Sequence, residues 1–214
     1  MRQTILLLVA AVMSISLSAQ DIGDQNPQTL FDNDSPVSHG GYGALTLKYG
    51  KILDQDAWFT GIRGGWLIDH RFTLGIAGAG LASRVVNDAW LPEDPKPNLE
   101  ARLLTGYGGL LLEPILFYRA PFHISAPVVI GAGGATYGLQ DGNFWNNTEV
   151  DIEETGVGFF VFEPGLEVEI NVLRFMRINV GGSYFYTSDV RLPEVDGDFM
   201  RGFRGTFTLK FGAF

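Results

Sequence analysis

From Gly40 onward the chain alternates apolar and polar residues with a period of two, the spacing of a strand with two unlike faces. Eight such segments run 41–50, 57–68, 71–83, 98–115, 121–138, 157–171, 174–187 and 202–213, each ending in turn-forming residues. In the sixth, Phe160, Phe162, Leu166, Val168 and Ile170 share one face, and Glu163, Gly165, Glu167 and Glu169 the other. In the seventh, Met176, Ile178, Val180, Tyr184 and Tyr186 oppose Arg177, Asn179, Gly181 and Ser183. The last sets Phe203, Phe207, Leu209 and Phe211 against Arg204, Thr206, Thr208 and Lys210. The first two follow suit, with Leu45, Leu47 and Tyr49 against Thr46 and Lys48, then Trp58, Ile62 and Trp66 against Phe59 and Arg63.

The connections carry a second regularity. Those at 69–70, 117–120 and 171–173 are short, whereas those around 84–97, 139–156 and 188–201 are long and polar; the first, 51–56, is shorter but also polar. Short and long therefore alternate, and both ends of the strand series fall on the short side. Even strand number and this alternation predict an all-β, eight-stranded antiparallel up-and-down transmembrane β-barrel. In such a barrel the charged faces must point inward, because Arg or Lys facing lipid at midplane costs roughly 2–4 kcal/mol.

The inward face then holds Glu113, Glu163, Glu167 and Glu169 against Lys48, Arg63, Arg177 and Lys210. A network of ion pairs is expected, since unpaired buried charge is expensive. Eight strands enclose a space that side chains just fill, so the expected interior is a plug and not a pore. Trp58, Trp66, Tyr184 and Tyr186 are candidates for the two membrane interfaces. Strand 98–115 breaks the pattern: Glu100 and Arg102 share one parity and Glu113 the other, so a bulge near Gly108-Gly109 is expected if all three face inward. Pro114, Pro121 and Pro127 predict irregular hydrogen bonding around the turn that follows.

The N-terminus reads as a secretory signal over 1–19, with Arg2, an apolar run and a small-residue exit near Ala19. Residues 20–38 read as a flexible periplasmic lead-in, leaving 39–214 for the barrel. Most acidic residues fall in the lead-in and the odd-numbered connections, whereas strands and short turns are slightly basic. The absence of Cys excludes disulfides, thiolate metal sites and cysteine nucleophiles.

No catalytic or cofactor motif is visible, and the acidic balance argues against nucleic acid. His123 and Ser125 share a strand face but read as polar lining near a turn, and His39 and His70 lie at strand ends. Asp141, Glu149, Asp151, Glu153 and Glu154 offer the hard oxygen ligands calcium favours, without EF-hand spacing; a solvated acidic loop is the commoner origin of such a cluster.

The tail, with Phe207, Leu209, Phe211 and the terminal Phe214, resembles the closing strand of bacterial outer-membrane barrels, which is read as an assembly signal. Phe214 departs from it, since period two from Phe211 leads to Ala213. With the loop alternation and the polar faces of strands six and seven, the mature chain resembles the small OmpA-like family. That resemblance implies a bacterial outer-membrane location, no cofactor, lipid and barrel-assembly partners with periplasmic chaperones, and a structural or surface-interaction role. A porin-like channel for small solutes or lipophilic compounds, and a soluble secreted ligand-binding barrel, are the alternatives.

Overall fold

Strand order in the sheet follows strand order in the chain, as alternation with short connections predicts. The computed structural model describes residues 38–87, 89–90, 99–118, 120, 122–141, 151–152 and 156–214. They form ten strand segments in one antiparallel sheet: β1 (His39–Ile52), β2 (Gln55–Ile68), β3 (Phe72–Leu81), β4 (Leu99–Leu116), β5 (Phe122–Ser125), β6 (Val128–Asp141), β7 (Asp151–Ile152), β8 (Val157–Leu173), β9 (Met176–Thr187) and β10 (Gly202–Ala213). The pairings return on themselves. β1 lies between β2 and β10, β3 joins β2 to β4, and β9 joins β10 to β8. Between β4 and β8 stand β5 and β6, each pairing with both. This ring-like hydrogen bonding satisfies backbone groups that an open sheet leaves at its edges.

Ten segments thus stand where the alternation predicts eight, for two reasons. The fifth expected strand, 121–138, divides into β5 and β6 at Ala126-Pro127, because Pro127 has no N–H for the ladder. There the chain steps between partners: the Ala126 amide donates to the Pro114 carbonyl at 3.0 Å, and the Gly165 amide to that of Pro127 at 2.7 Å. The second addition is β7, two residues within the expected fifth loop that pair with Gly138 and Leu139.

The expected bulge at Gly108-Gly109 does not form. β4 keeps unbroken register with β3 and with β6 through both glycines. Glu100 and Arg102 therefore take the face opposite Glu113. β4 has 18 residues and runs past β3, whose last partner on it is Gly106. Glu100 lies on this extension and pairs with Arg84 while both stay partly hydrated. The sheet's register shift falls elsewhere, between β8 and β9 at Asn171/Leu173.

The first connection is tighter than its sequence suggests. β1 and β2 extend to a two-residue turn, Leu53-Asp54, with φ of 51° and 60°. Asp69 and His70 share this conformation at the other end, with φ of 51° and 54°, within a three-residue connection between the paired Ile68 and Phe72. Two-residue hairpins need this left-handed backbone to match strand twist.

At the loop end the interior is an apolar tier of Phe59, Leu103, Tyr137, Phe159 and Phe185. Two connections fold back into it, one contributing Val85 and the other Val190, Leu192 and Met200, all buried. Gly133 makes room for one of these rings: a Cβ there would lie 2.5 Å from the Phe159 ring. The inward charges predict ionic plugging alone; the apolar seal is an addition of the fold.

Asp54→Gly relieves left-handed strain at an exposed position, so it should raise stability by up to about 1 kcal/mol, read as a shifted urea midpoint. Gly133→Leu should lower it by about 1–3 kcal/mol through overpacking against Phe159.

Candidate functional site

Toward the turn end the same inward parity delivers charge instead of rings. Glu113, Glu163, Glu167 and Glu169 are buried, as are Arg63, Arg177 and Lys210, with Lys48 nearly so. The sheet brings these eight residues together inside the ring. Register accounts for part of the match: Glu169 on β8 stands opposite Asn179, so Arg177, two residues earlier on β9, lies diagonal to it, with Lys210 opposite Arg177 on β10.

Glu169 sits at the centre of the lowest layer. Arg177 Nη1 donates to its Oε1 at 2.6 Å, Lys210 Nζ to its Oε2 at 2.6 Å, and Asn179 Nδ2 to the same Oε2 at 2.9 Å. Lys210 Nζ also reaches Glu113 Oε1 at 2.7 Å, tying two carboxylates to one cation. Glu113 accepts from the Tyr42 hydroxyl as well. One layer up, Arg63 grips Glu167 with both terminal nitrogens, at 3.0 and 2.6 Å, the strong bidentate form. Asn179 Nδ2, 3.0 Å from Glu167 Oε2, links this layer to the one below. The upper layer closes on Glu163, which accepts from Lys48 Nζ at 2.6 Å, the Tyr107 hydroxyl at 2.6 Å and Ser183 Oγ at 2.8 Å.

Gly181 makes the middle layer fit. A Cβ there would lie 2.9 Å from Glu167 Cγ and 2.1 Å from the Leu166 carbonyl oxygen.

Arg204 lies where the ionic and apolar tiers meet. Its guanidinium carbon is 3.6 Å from the Phe185 ring centroid and 3.9 Å from that of Phe59. Both its Nη atoms are buried without a hydrogen-bond partner, so ring faces hold this cation. Sequence reasoning places Arg204 on the polar face but not in the network; its shared parity with Lys210 was the available signal. Tyr42, Tyr107 and Asn179 are further members. Their inward parity was legible, but which carboxylate each would reach was not.

His123 and Ser125 are both buried in this network. His123 Nδ1 is 3.4 Å from Glu169 Oε1, and Ser125 Oγ is 3.4 Å from Asn179 Nδ2. A cavity of about 30 Å3 between Lys48, Arg63, Tyr107, Glu163, Glu167 and Ser183 has room for one or two water molecules.

The other candidates lie elsewhere. Trp58, Trp66, Tyr184 and Tyr186 are exposed on the outside of the ring, Trp58 against Tyr49 and Trp66 against His39. Phe207 and Phe211 also face out, whereas the Phe214 ring lies 3.9 Å from the Arg177 guanidinium and 6.2 Å from the Tyr42 ring. Leu209 pairs with Leu45 and Ile178. Of the calcium candidates, Glu149, Glu153 and Glu154 lie outside the described residues, and Asp141 and Asp151 are described only as strand backbone. Among the described residues no group of three or more His, Cys, Asp or Glu is placed to hold a metal ion.

The exterior is the reverse of the interior. Leu45, Ile62, Leu74, Ile76, Leu110, Phe160, Leu166, Val168 and Val180 all face out and are exposed. An apolar wall around a buried salt-bridge network is how an outer-membrane β-barrel is organised.

No family model matches the chain, and no curated protein sequence matches it. Among solved structures it is similar to Neisserial surface protein A (NspA), at 8% identity over 83% of this chain and 99% of that one, with a TM-score of 0.55. It also matches Ail, the attachment invasion locus protein of Yersinia pestis, at 13% identity over 82% of this chain and 95% of that one, with a TM-score of 0.40. A major outer membrane protein from Thermus thermophilus matches at 9% identity over 80% of this chain and 98% of that one, with a TM-score of 0.39. The likeness to NspA is one of fold, an all-β barrel.

Arg63→Ala leaves Glu167 buried without its cation and should cost about 3–5 kcal/mol in urea titrations of the protein folded in vesicles. The pair change Arg63→Met with Glu167→Leu should recover most of that loss. Arg204→Met, which removes a cation held chiefly by the faces of Phe59 and Phe185, should change stability by no more than about 2 kcal/mol.

Proposed function

We propose that this chain is a closed, eight-stranded, OmpA-like barrel of the bacterial outer membrane, with β5 and β6 acting as one bent stave. Its role is non-enzymatic: the barrel anchors and displays the long connections at the cell surface. The observation that carries this reading is the inversion of polarity, with carboxylates and guanidinium groups sealed inside and large apolar side chains outside. A soluble ligand-binding barrel needs the opposite arrangement.

The short connections lie on the periplasmic side in this reading, and the long acidic ones outside. Lipid is then a constant partner, and periplasmic chaperones and the barrel-assembly machinery are partners during biogenesis. Trp58, Trp66, Tyr184 and Tyr186 mark the two interfaces, and the outward Phe207, Leu209 and Phe211, with Phe214, form the assembly signal.

A channel needs a continuous water path. Here the ionic layers are joined through Lys210 and Asn179, and Val190, Leu192 and Met200 cover the loop end. Planar-bilayer recordings of the folded protein should show no current steps. Reproducible conductance would replace the structural reading with transport and make Arg63, Glu163 and Glu167 the selectivity candidates.

A further inference from the structure

The apolar belt is lopsided at the turn end. Beside β2 and β3 it ends with the strands, at Trp66 and the half-buried pair Ile68 and Phe72, and the connection beyond is Asp69, His70 and Arg71, with Arg71 Nε 3.2 Å from Asp69 Oδ2. Across the ring it continues. Phe122 and Ile170 are exposed register partners on β5 and β8. Beyond them, the connection after β4 exposes Phe117 at 67%, and the one after β8 exposes Leu173 and, at 57%, Phe175. Arg174, also exposed, lies between those last two.

Tight turns of this kind have no packing need for large apolar residues, which face outward here and stabilise nothing within the ring. Connections at the other end place theirs inside, as Val190, Leu192 and Met200 show. The turn-end patch is therefore a surface for an external partner.

We propose that this edge seats in the headgroup layer of anionic phospholipid, with Arg174 on the headgroup phosphates and Phe117, Leu173 and Phe175 among the upper acyl carbons. The inference rests on the membrane-barrel reading above. Two features select lipid as the occupant. The patch continues the outward apolar belt through Phe122 and Ile170, and on to the exposed Val172 and Leu173 past the exposed Asn171. Its cation stands among apolar side chains, the arrangement that suits a membrane–water interface. The charge has the matching sign, whereas the loop end is acidic, with Asp189, Glu194, Asp196 and Asp198 in the connection before β10. Because the belt reaches further beside β5 and β8 than beside β2 and β3, the barrel also tilts toward the β5–β8 side.

The test uses the full folded chain in nanodiscs of phosphatidylcholine containing a minority of phosphatidylglycerol, with retained lipids counted by native mass spectrometry. The wild type should retain phosphatidylglycerol over phosphatidylcholine roughly five-fold beyond its share, the scale of one basic side chain at an anionic surface. Arg174→Gln should abolish that enrichment while leaving the barrel folded. Leu173→Ser with Phe175→Ser should reduce retention of both lipids. No enrichment in the wild type, or equal enrichment in Arg174→Gln, overturns the proposal. So does a Leu173→Ser/Phe175→Ser variant that keeps its lipids but assembles slowly on purified assembly machinery, which would make the patch a protein contact. Protease protection in the same nanodiscs separates the two readings: a wild type that fails to insert refutes the membrane barrel itself.

Discussion

Glu113, Glu163, Glu167 and Glu169 are buried inside a ring of strands, and each is accommodated there only because cations and hydroxyl donors close around it. That requirement governs the rest. It determines which parity of every strand faces inward, and hence which faces outward. It also makes glycine necessary opposite bulky inward groups, as at Gly181 beside Glu167. The apolar exterior follows from the same choice, since a period of two leaves no third face.

The interior is sealed twice, by different physics. Near the turns the seal is ionic, cross-linked by Lys210 and Asn179, and directional because each contact has a donor and an acceptor. Near the loops it is apolar, made by side chains from two connections folded over Phe59, Phe159 and Phe185. Arg204 stands between them and belongs to both, a cation held by ring faces.

The outward surface has its own grain. Exposed aromatic residues pair along it, as Tyr49 with Trp58 and Tyr184 with Phe203. At the turn end the apolar belt reaches past the sheet on one side only.

By itself the sequence determined the strand type, the strand order and the sign of each face. Alternation with period two is a local property, and short connections leave antiparallel neighbours as the only partners in reach. The eight inward charges from Lys48 to Lys210 were legible on that basis. Tertiary structure alone decided which of them touch. The bidentate grip of Arg63 on Glu167 joins residues on β2 and β8, which are not neighbours in the sheet. The same holds for Tyr42 with Glu113 and for Val190, Leu192 and Met200 over the interior. The irregularity at Pro127 was legible, since proline has no N–H for the ladder, whereas the unbroken β4 at Gly108 was a matter of register, settled by partners on β3 and β6. Periodicity specifies a face, whereas a contact across the ring depends on the stagger of every strand between its ends.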